Sequence, residues 1–186
     1  DKIPTQDIEH CYELLSNGMC SIHSARAHET IKSSFVMIAF ANPVNAVFTS
    51  TPINEIGLPS ILLSRFALIV KADELDGSLM KELLRKRMLG EASDYDFSKS
   101  YLLWVLDSRK HRPKMVASTN EFDSYLDRVH SIIERFRKTP LQRDLRMGDY
   151  ARRIAITIAR TNLSDVDGKV LEEAADLIEG SIEQWR

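Results

Sequence analysis

The stretch ILLSRFALIV, residues 61 to 70, sets one arginine between two apolar runs. Arg65 precedes Phe66, Ala67, Leu68, Ile69 and Val70, which read as a short strand destined for burial. A guanidinium keeps its charge and is costly to bury unpaired, so Arg65 calls for an intrachain carboxylate, a partner chain or a ligand phosphate. A surface ion pair is the plainer alternative. A second polar group, Asn42, ends the apolar run FVMIAFA at 35–41 and is followed by Pro43. The carboxyl end of a buried strand is where α/β proteins place ligands, although Asn-Pro is also a simple turn former. A third group is basic. Arg26, with His23 and His28, falls at the tip of an expected hairpin in a chain of net charge −2. Such a cluster suits DNA phosphates, and solvated hairpin residues are the simplest alternative. Cys11, Cys20, His23 and His28 are close enough in sequence to suggest zinc, but their spacing matches no standard pair-plus-pair pattern, and no metal site is assigned.

These groups need elements to hold them. In IPTQDIEHCYELLS, Ile8, Cys11, Tyr12 and Leu15 stand at i, i+3, i+4 and i+7, which predicts an amphipathic helix opened by Pro4. GMCSIHSARAHETIKSS alternates loosely, with polar residues at Ser24 to Ala27, and predicts a hairpin. The run 35–41 fits a strand covered on both faces, as in a parallel sheet. A polar loop leads to Gly57-Leu58-Pro59, the short helix SILLSRF and the strand ALIV. From Asp73 the pattern is helical. DELDGSLMKELLRKRML and FSKSYLLWVLDSRK are two candidates, the second stopped by Pro113. STNEFDSYLDRVHSIIERFRK is the clearest, with Phe122, Tyr125, Leu126, Val129, Ile132, Ile133 and Phe136 in one stripe and Ser118 with Glu121 as a capping box. A fourth helix is expected from about Leu145 to Arg160. A fifth begins near Asp167 and carries Leu171, Ala174, Ala175, Ile178, Ile182 and Trp185.

The composition is that of a globular chain: 186 residues, 44% hydrophobic, 28% charged, with only 7 Gly and 6 Pro. Two cysteines give no disulfide framework and suggest a reducing compartment. The apolar runs are too short for a membrane span, no leader-like segment opens the chain, and the abrupt start at Asp1-Lys2 reads as a fragment. No G-x-x-x-x-G-K-[ST] phosphate loop occurs; Gly168-Lys169 reads instead as a helix start after Asp167. G-x-G-x-x-G, G-x-S-x-G and H-E-x-x-H are also absent.

In order, DK, SIHSARA, VMIAFANP and LPSILLSRFALIV resemble the replicative MCM helicases of the AAA+ ATPase class. That family runs from a Walker B segment ending in Asp-Lys, through a hairpin inserted before the sensor-1 strand, to a strand ending AANP and then LP..LLSRFDLI. YLLWVLDSRKHRPKM and LRMGDYARRIAITIARTNLSDVD are similar to the family's helical lid. The resemblance implies an α/β plus all-α fold: a partial parallel-sheet AAA+ core at 1–72, a connecting helix and loop at 73–95, and a helical lid at 96–186. It implies that Asn42 is sensor 1, Arg65 an arginine finger serving the neighbouring subunit's ATP, Arg146 the sensor-2 arginine and Arg153 a second lid arginine. Read singly, Arg146 and Arg153 are equally helix-surface charges. The resemblance also implies that Arg26, His23 and His28 face DNA in a central channel, that ATP and Mg are bound with residues preceding Asp1, and that the partners are DNA and a homo- or hetero-oligomeric ring, a hexamer, with no membrane. The expected location is intracellular: nuclear in a eukaryote, cytoplasm or nucleoid in an archaeon. Three positions depart from the family. Ser24 replaces the hairpin lysine, Ala67 the acid of SRFD, and Arg146-Met147-Gly148-Asp149 the RQLE sequence. A catalytically dead ring subunit and a magnesium-chelatase or MoxR-like remodeller are therefore the alternative readings.

Overall fold

The computed structural model describes residues 12, 14–16, 18–23, 28–32, 36–44, 48–49, 52–72, 77–89, 99–141 and 144–185. Tyr12 and residues 14–16 are helical, and the rest of the first expected helix lies outside the described residues. Gly18 closes this turn at φ 63°, its N–H bonded to the Leu14 carbonyl at 2.9 Å, a left-handed position that glycine takes without steric cost. The chain then enters β1 (Met19–His23), which pairs antiparallel with β2 (His28–Lys32), with Met19 opposite Lys32 and His23 opposite His28. The predicted hairpin is therefore present, with residues 24–27 between its strands outside the described residues.

The parallel sheet expected from the sequence does not appear among the described residues, where β1–β2 is the sheet that forms. Residues 36–41 and 66–70 run without strand pairing. The physical reason is unmet pairing: a parallel strand needs ladders from adjoining strands and helices over both faces, and no described segment pairs with either run. Val36, Ile38 and Phe40 are accordingly 89%, 77% and 89% exposed. Beyond this run, Pro43 bridges Ile56, and the Val44 N–H reaches the Glu55 carbonyl at 3.0 Å. A single 3-10 turn (Pro52–Asn54) leads to α1 (Ser60–Leu63).

Five longer helices follow: α2 (Gly77–Met88), α3 (Lys99–Lys110), α4 (Thr119–Phe136), α5 (Arg146–Thr161) and α6 (Gly168–Glu183). The last three build the core. The start of α4 is the expected capping box, with the Glu121 N–H on Ser118 Oγ at 3.4 Å and the Ser118 N–H on the Glu121 carboxylate at 2.7 Å. The Ser118 hydroxyl, which also donates to Glu121 Oε2 at 2.7 Å, and then the Ser118 N–H hold the Glu121 carboxyl below its ordinary pKa. Asp167 caps α6 through the Val170 N–H at 2.9 Å, as the Gly168-Lys169 reading required.

Tyr125, Val129, Ile132 and Phe136 of α4 meet Met147, Ala151, Ile154, Ala155 and Ala159 of α5 and Leu171, Ala174, Ala175, Ile178 and Ile182 of α6. The alanines let α5 and α6 approach closely, and the large side chains fill the remaining space. Phe122 and Leu126 depart from the predicted stripe, being 37% and 45% exposed. They lie at its edge, where α5 and α6 no longer cover α4. Outside this core, Arg128 clamps α4 to α6 by a forked pair with Glu179 (3.1 and 2.6 Å) and a bond to Asp176 (2.8 Å). These carboxylates raise the pKa of its guanidinium. Arg135 pairs with Glu183 one turn further on.

The bundle also grips the first part of the chain. Trp185 is buried, sets its ring edge-on to Phe48 (centroids 5.4 Å apart) and donates from Nε1 to the Ile69 carbonyl at 2.9 Å. The Lys71 N–H donates to Gln184 Oε1 at 2.9 Å. Residues 67–69 thus pack on the helical core in place of a sheet.

Candidate phosphate-binding cleft

Arg65 sits in the turn that leaves α1, with its N–H bonded to the Leu62 carbonyl at 3.0 Å. Its side chain is half-buried and does not project freely from the surface. The guanidinium carbon lies 5.5 Å from the centroid of the Tyr12 ring, an aromatic face that offsets part of the desolvation of the cation. Nε and Nη1 are buried and have no hydrogen-bond partner among the described residues. Buried donors without an acceptor are costly, and Arg65 also lines a cleft of about 460 Å³ with Leu15, Ser16, Arg146, Asp149, Tyr150 and Arg153.

The opposite wall belongs to α5. Arg146, Asp149, Tyr150 and Arg153 stand at i, i+3, i+4 and i+7, so one helix face presents two cations, one carboxylate and one phenol. Arg146 Nη1 contacts Asp144 Oδ2 at 3.3 Å and Ser64 Oγ at 3.4 Å. The Tyr150 hydroxyl donates to the Arg65 carbonyl at 3.0 Å. The structure therefore brings together three of the arginines singled out from the sequence, carried by two elements distant in sequence. Tyr12, Ser64, Asp149 and Tyr150 were not anticipated. Helical spacing from Arg146 is the signal that finds Asp149 and Tyr150, while no spacing signal links Tyr12 to Arg65.

Asn42 goes elsewhere. It is exposed and lines a separate, largely apolar cavity of about 130 Å³ with Phe48, Leu63, Phe66, Ile69 and Trp185. Leu63 lines that cavity and Arg65, two residues later, lines the arginine cleft, so the α1 turn divides the two. His23 and His28 occupy facing register positions at the hairpin end, and Arg26 lies outside the described residues. Among the described residues no group of three or more His, Cys, Asp or Glu side chains forms a metal-ligand set. No helix among them is long and apolar enough to cross a membrane.

Three arginines, one on the turn after α1 and two on the facing helix α5, line one cleft, a set of donors whose chemistry suits an anion such as a phosphate group. Part of the chain is similar in sequence to known proteins. Over 86 residues, 45% of this chain, it is 31% identical to DNA replication licensing factor MCM3 homolog 1 of Zea mays and to DNA replication licensing factor MCM3 of Oryza sativa subsp. japonica. Over a stretch of the same length it is 33% identical to DNA replication licensing factor MCM3 of Gallus gallus. The match spans 11% of the length of each of these relatives. No family profile matches the chain. The matched stretch is thus similar to MCM3 replication licensing factors.

Proposed function

We propose that this chain is the later half of an MCM-type AAA+ motor, with residues 1–72 from the α/β core, 73–95 as a connection and 96–186 as the lid. In this reading it serves an ATP-driven DNA helicase that works as a ring. The observation that carries the proposal is the convergence of Arg65, Arg146 and Arg153 on one cleft, with Arg65 Nε and Nη1 unpartnered among the described residues. An ATP phosphate held by the adjoining subunit supplies the missing anion. Arg65 then stabilises charge that builds on the transferring phosphoryl group, and Arg146 and Arg153 fix its position from the lid. Asn42, across the α1 turn from the arginine cleft, orients the attacking water at a different nucleotide of the ring. Arg26, His23 and His28 contact DNA phosphates from the hairpin. The described residues offer no ligand set for magnesium, and no role assigned here passes through that ion. A ring working on replicating DNA places the protein in the nucleus of a eukaryotic cell.

The test is a mixing experiment in the full-length ring. Arg65→Ala lowers ATP turnover roughly a thousandfold, the scale of an arginine finger's contribution. Adding subunits whose phosphate-loop lysine is mutated, themselves inactive, restores part of the turnover, because some interfaces then pair an intact loop with an intact arginine. Mixed rings that form and stay inactive overturn the assignment of Arg65 across the interface. The 186-residue chain alone, lacking the phosphate loop, binds ATP too weakly for calorimetry to register micromolar affinity, and a micromolar isotherm refutes that expectation. A non-catalytic ring subunit is the second reading, favoured by Gly148 in the first turn of α5 and by Ala67 and Ser24.

A further inference from the structure

Two hydrogen bonds run from α5 to consecutive residues of the turn that bears Arg65. The Tyr150 hydroxyl donates to the carbonyl of Arg65 itself at 3.0 Å, and Arg146 Nη1 reaches Ser64 Oγ at 3.4 Å. A bond to a residue's own carbonyl restrains its backbone dihedral and hence the direction in which its side chain leaves the chain. Among the described residues the guanidinium of Arg65 has no hydrogen bond at Nε or Nη1, and the Tyr12 ring gives it only a face to lie on. The tether that aims Arg65 therefore acts on its backbone and comes from the facing helix.

We infer that Tyr150 is a positioning residue for Arg65: its hydroxyl couples the aim of the α1-turn arginine to the pose of α5. This rests on the reading of the cleft as a phosphate site, which it deepens by naming what controls the geometry. Tyr150 also stands four residues after Arg146 and three before Arg153, so one rigid helix carries both lid arginines and the tether. A movement of α5 that shifts Arg146 and Arg153 releases or re-aims Arg65 in the same step. The three cations then behave as one unit.

The test uses the 186-residue chain labelled with nitrogen-15, the arginine Nε–H resonances as readout and inorganic pyrophosphate as probe. In the wild-type chain the Arg65 Nε–H exchanges slowly with solvent, because it is buried, and millimolar pyrophosphate shifts Arg65, Arg146 and Arg153 together. Tyr150→Phe keeps the ring and removes the hydroxyl. With the thermal midpoint largely retained, it speeds exchange at Arg65 Nε–H, weakens pyrophosphate roughly fivefold, the value of one hydrogen bond, and leaves the Arg153 response in place. Tyr150→Leu, which also removes the ring, changes Arg65 exchange no less than Tyr150→Phe does. Wild-type exchange at Arg65 in Tyr150→Phe overturns the inference, whatever pyrophosphate does. A wild-type chain in which pyrophosphate moves none of the three arginines overturns the phosphate reading instead, and the exchange comparison still decides whether Tyr150 aims Arg65.

Discussion

The helical bundle and the run at 36–44 both depend on apolar residues and end in opposite conditions. In α4 to α6, Ile132, Leu171, Ile178 and Ile182 are almost completely buried. In the earlier run, Val36, Ile38 and Phe40 lie open to solvent. The difference is one of closure. Three helices satisfy their own backbones and bury one face each against the other two, so the bundle is complete within the chain. An extended segment satisfies its backbone only through neighbours, and its hydrophobicity stays unspent until they are present. Apolar content therefore shows that burial is intended, and the hydrogen-bonding habit of the element decides whether the chain can provide it alone.

The sharpest way to break this contrast is a pair of substitutions. Ile178→Ala, at a site with no exposure, is expected to cost about 2–5 kcal/mol in chemical denaturation. Phe40→Ser, at 89% exposure, is expected to change stability by less than about 0.5 kcal/mol in the same measurement and to improve solubility. A large cost for Phe40→Ser would show that the run is covered after all. A smaller effect is expected at Tyr125, whose hydroxyl donates to the Ala151 carbonyl at 2.9 Å inside the bundle. Tyr125→Phe should lose about 1 kcal/mol near neutral pH. Burial pushes the Tyr125 phenol up to about 12, whereas an unfolded tyrosine titrates near 10. Its contribution is therefore full below pH 10 and fades as the pH rises towards 12. The gap between the two proteins' unfolding curves should close over that window, and a gap that widens there would refute the assignment.

The last expected effect is a gain. After α5, Leu163 holds φ 51°, while the Ser164 N–H bonds to the Ala159 carbonyl at 2.9 Å and the Leu163 N–H to the Arg160 carbonyl at 3.2 Å. This is the helix-ending pattern that glycine favours, occupied by a side chain that is 47% exposed. Leu163→Gly should raise stability by up to about 1 kcal/mol, read as a higher thermal midpoint, because the left-handed strain relieved exceeds the packing lost.

The same contrast explains what could be read beforehand. The α4 and α6 starts were legible because Ser118, Glu121 and Asp167 act within one turn of themselves. The hairpin was legible from alternation, and every residue of the stripe expected on the last helix is buried, joined by Val170 and Ser181. The sheet was not delivered, because a continuous apolar run states a need for neighbours without saying where they come from. The arginines of the cleft were found by likeness to a family. Their convergence and the Tyr150 tether depend on contacts across more than eighty residues, which no local pattern encodes.

Trp185 gives this chain an optical consequence. The sequence has two tryptophans, and they stand in unlike surroundings. Trp104 on α3 is 38% exposed and reaches the Thr161 carbonyl, while Trp185 is sealed between the bundle's last turn, Phe48 and Ile69. Light absorbed by the chain is thus re-emitted by one solvated indole and one dry indole, and the bluer emission reports whether the last turn of the bundle is still seated on the α/β segment. With Trp104→Phe in the background, a single fluorimeter trace would follow that seating in isolation, distinguishing detachment of the two parts from melting of either.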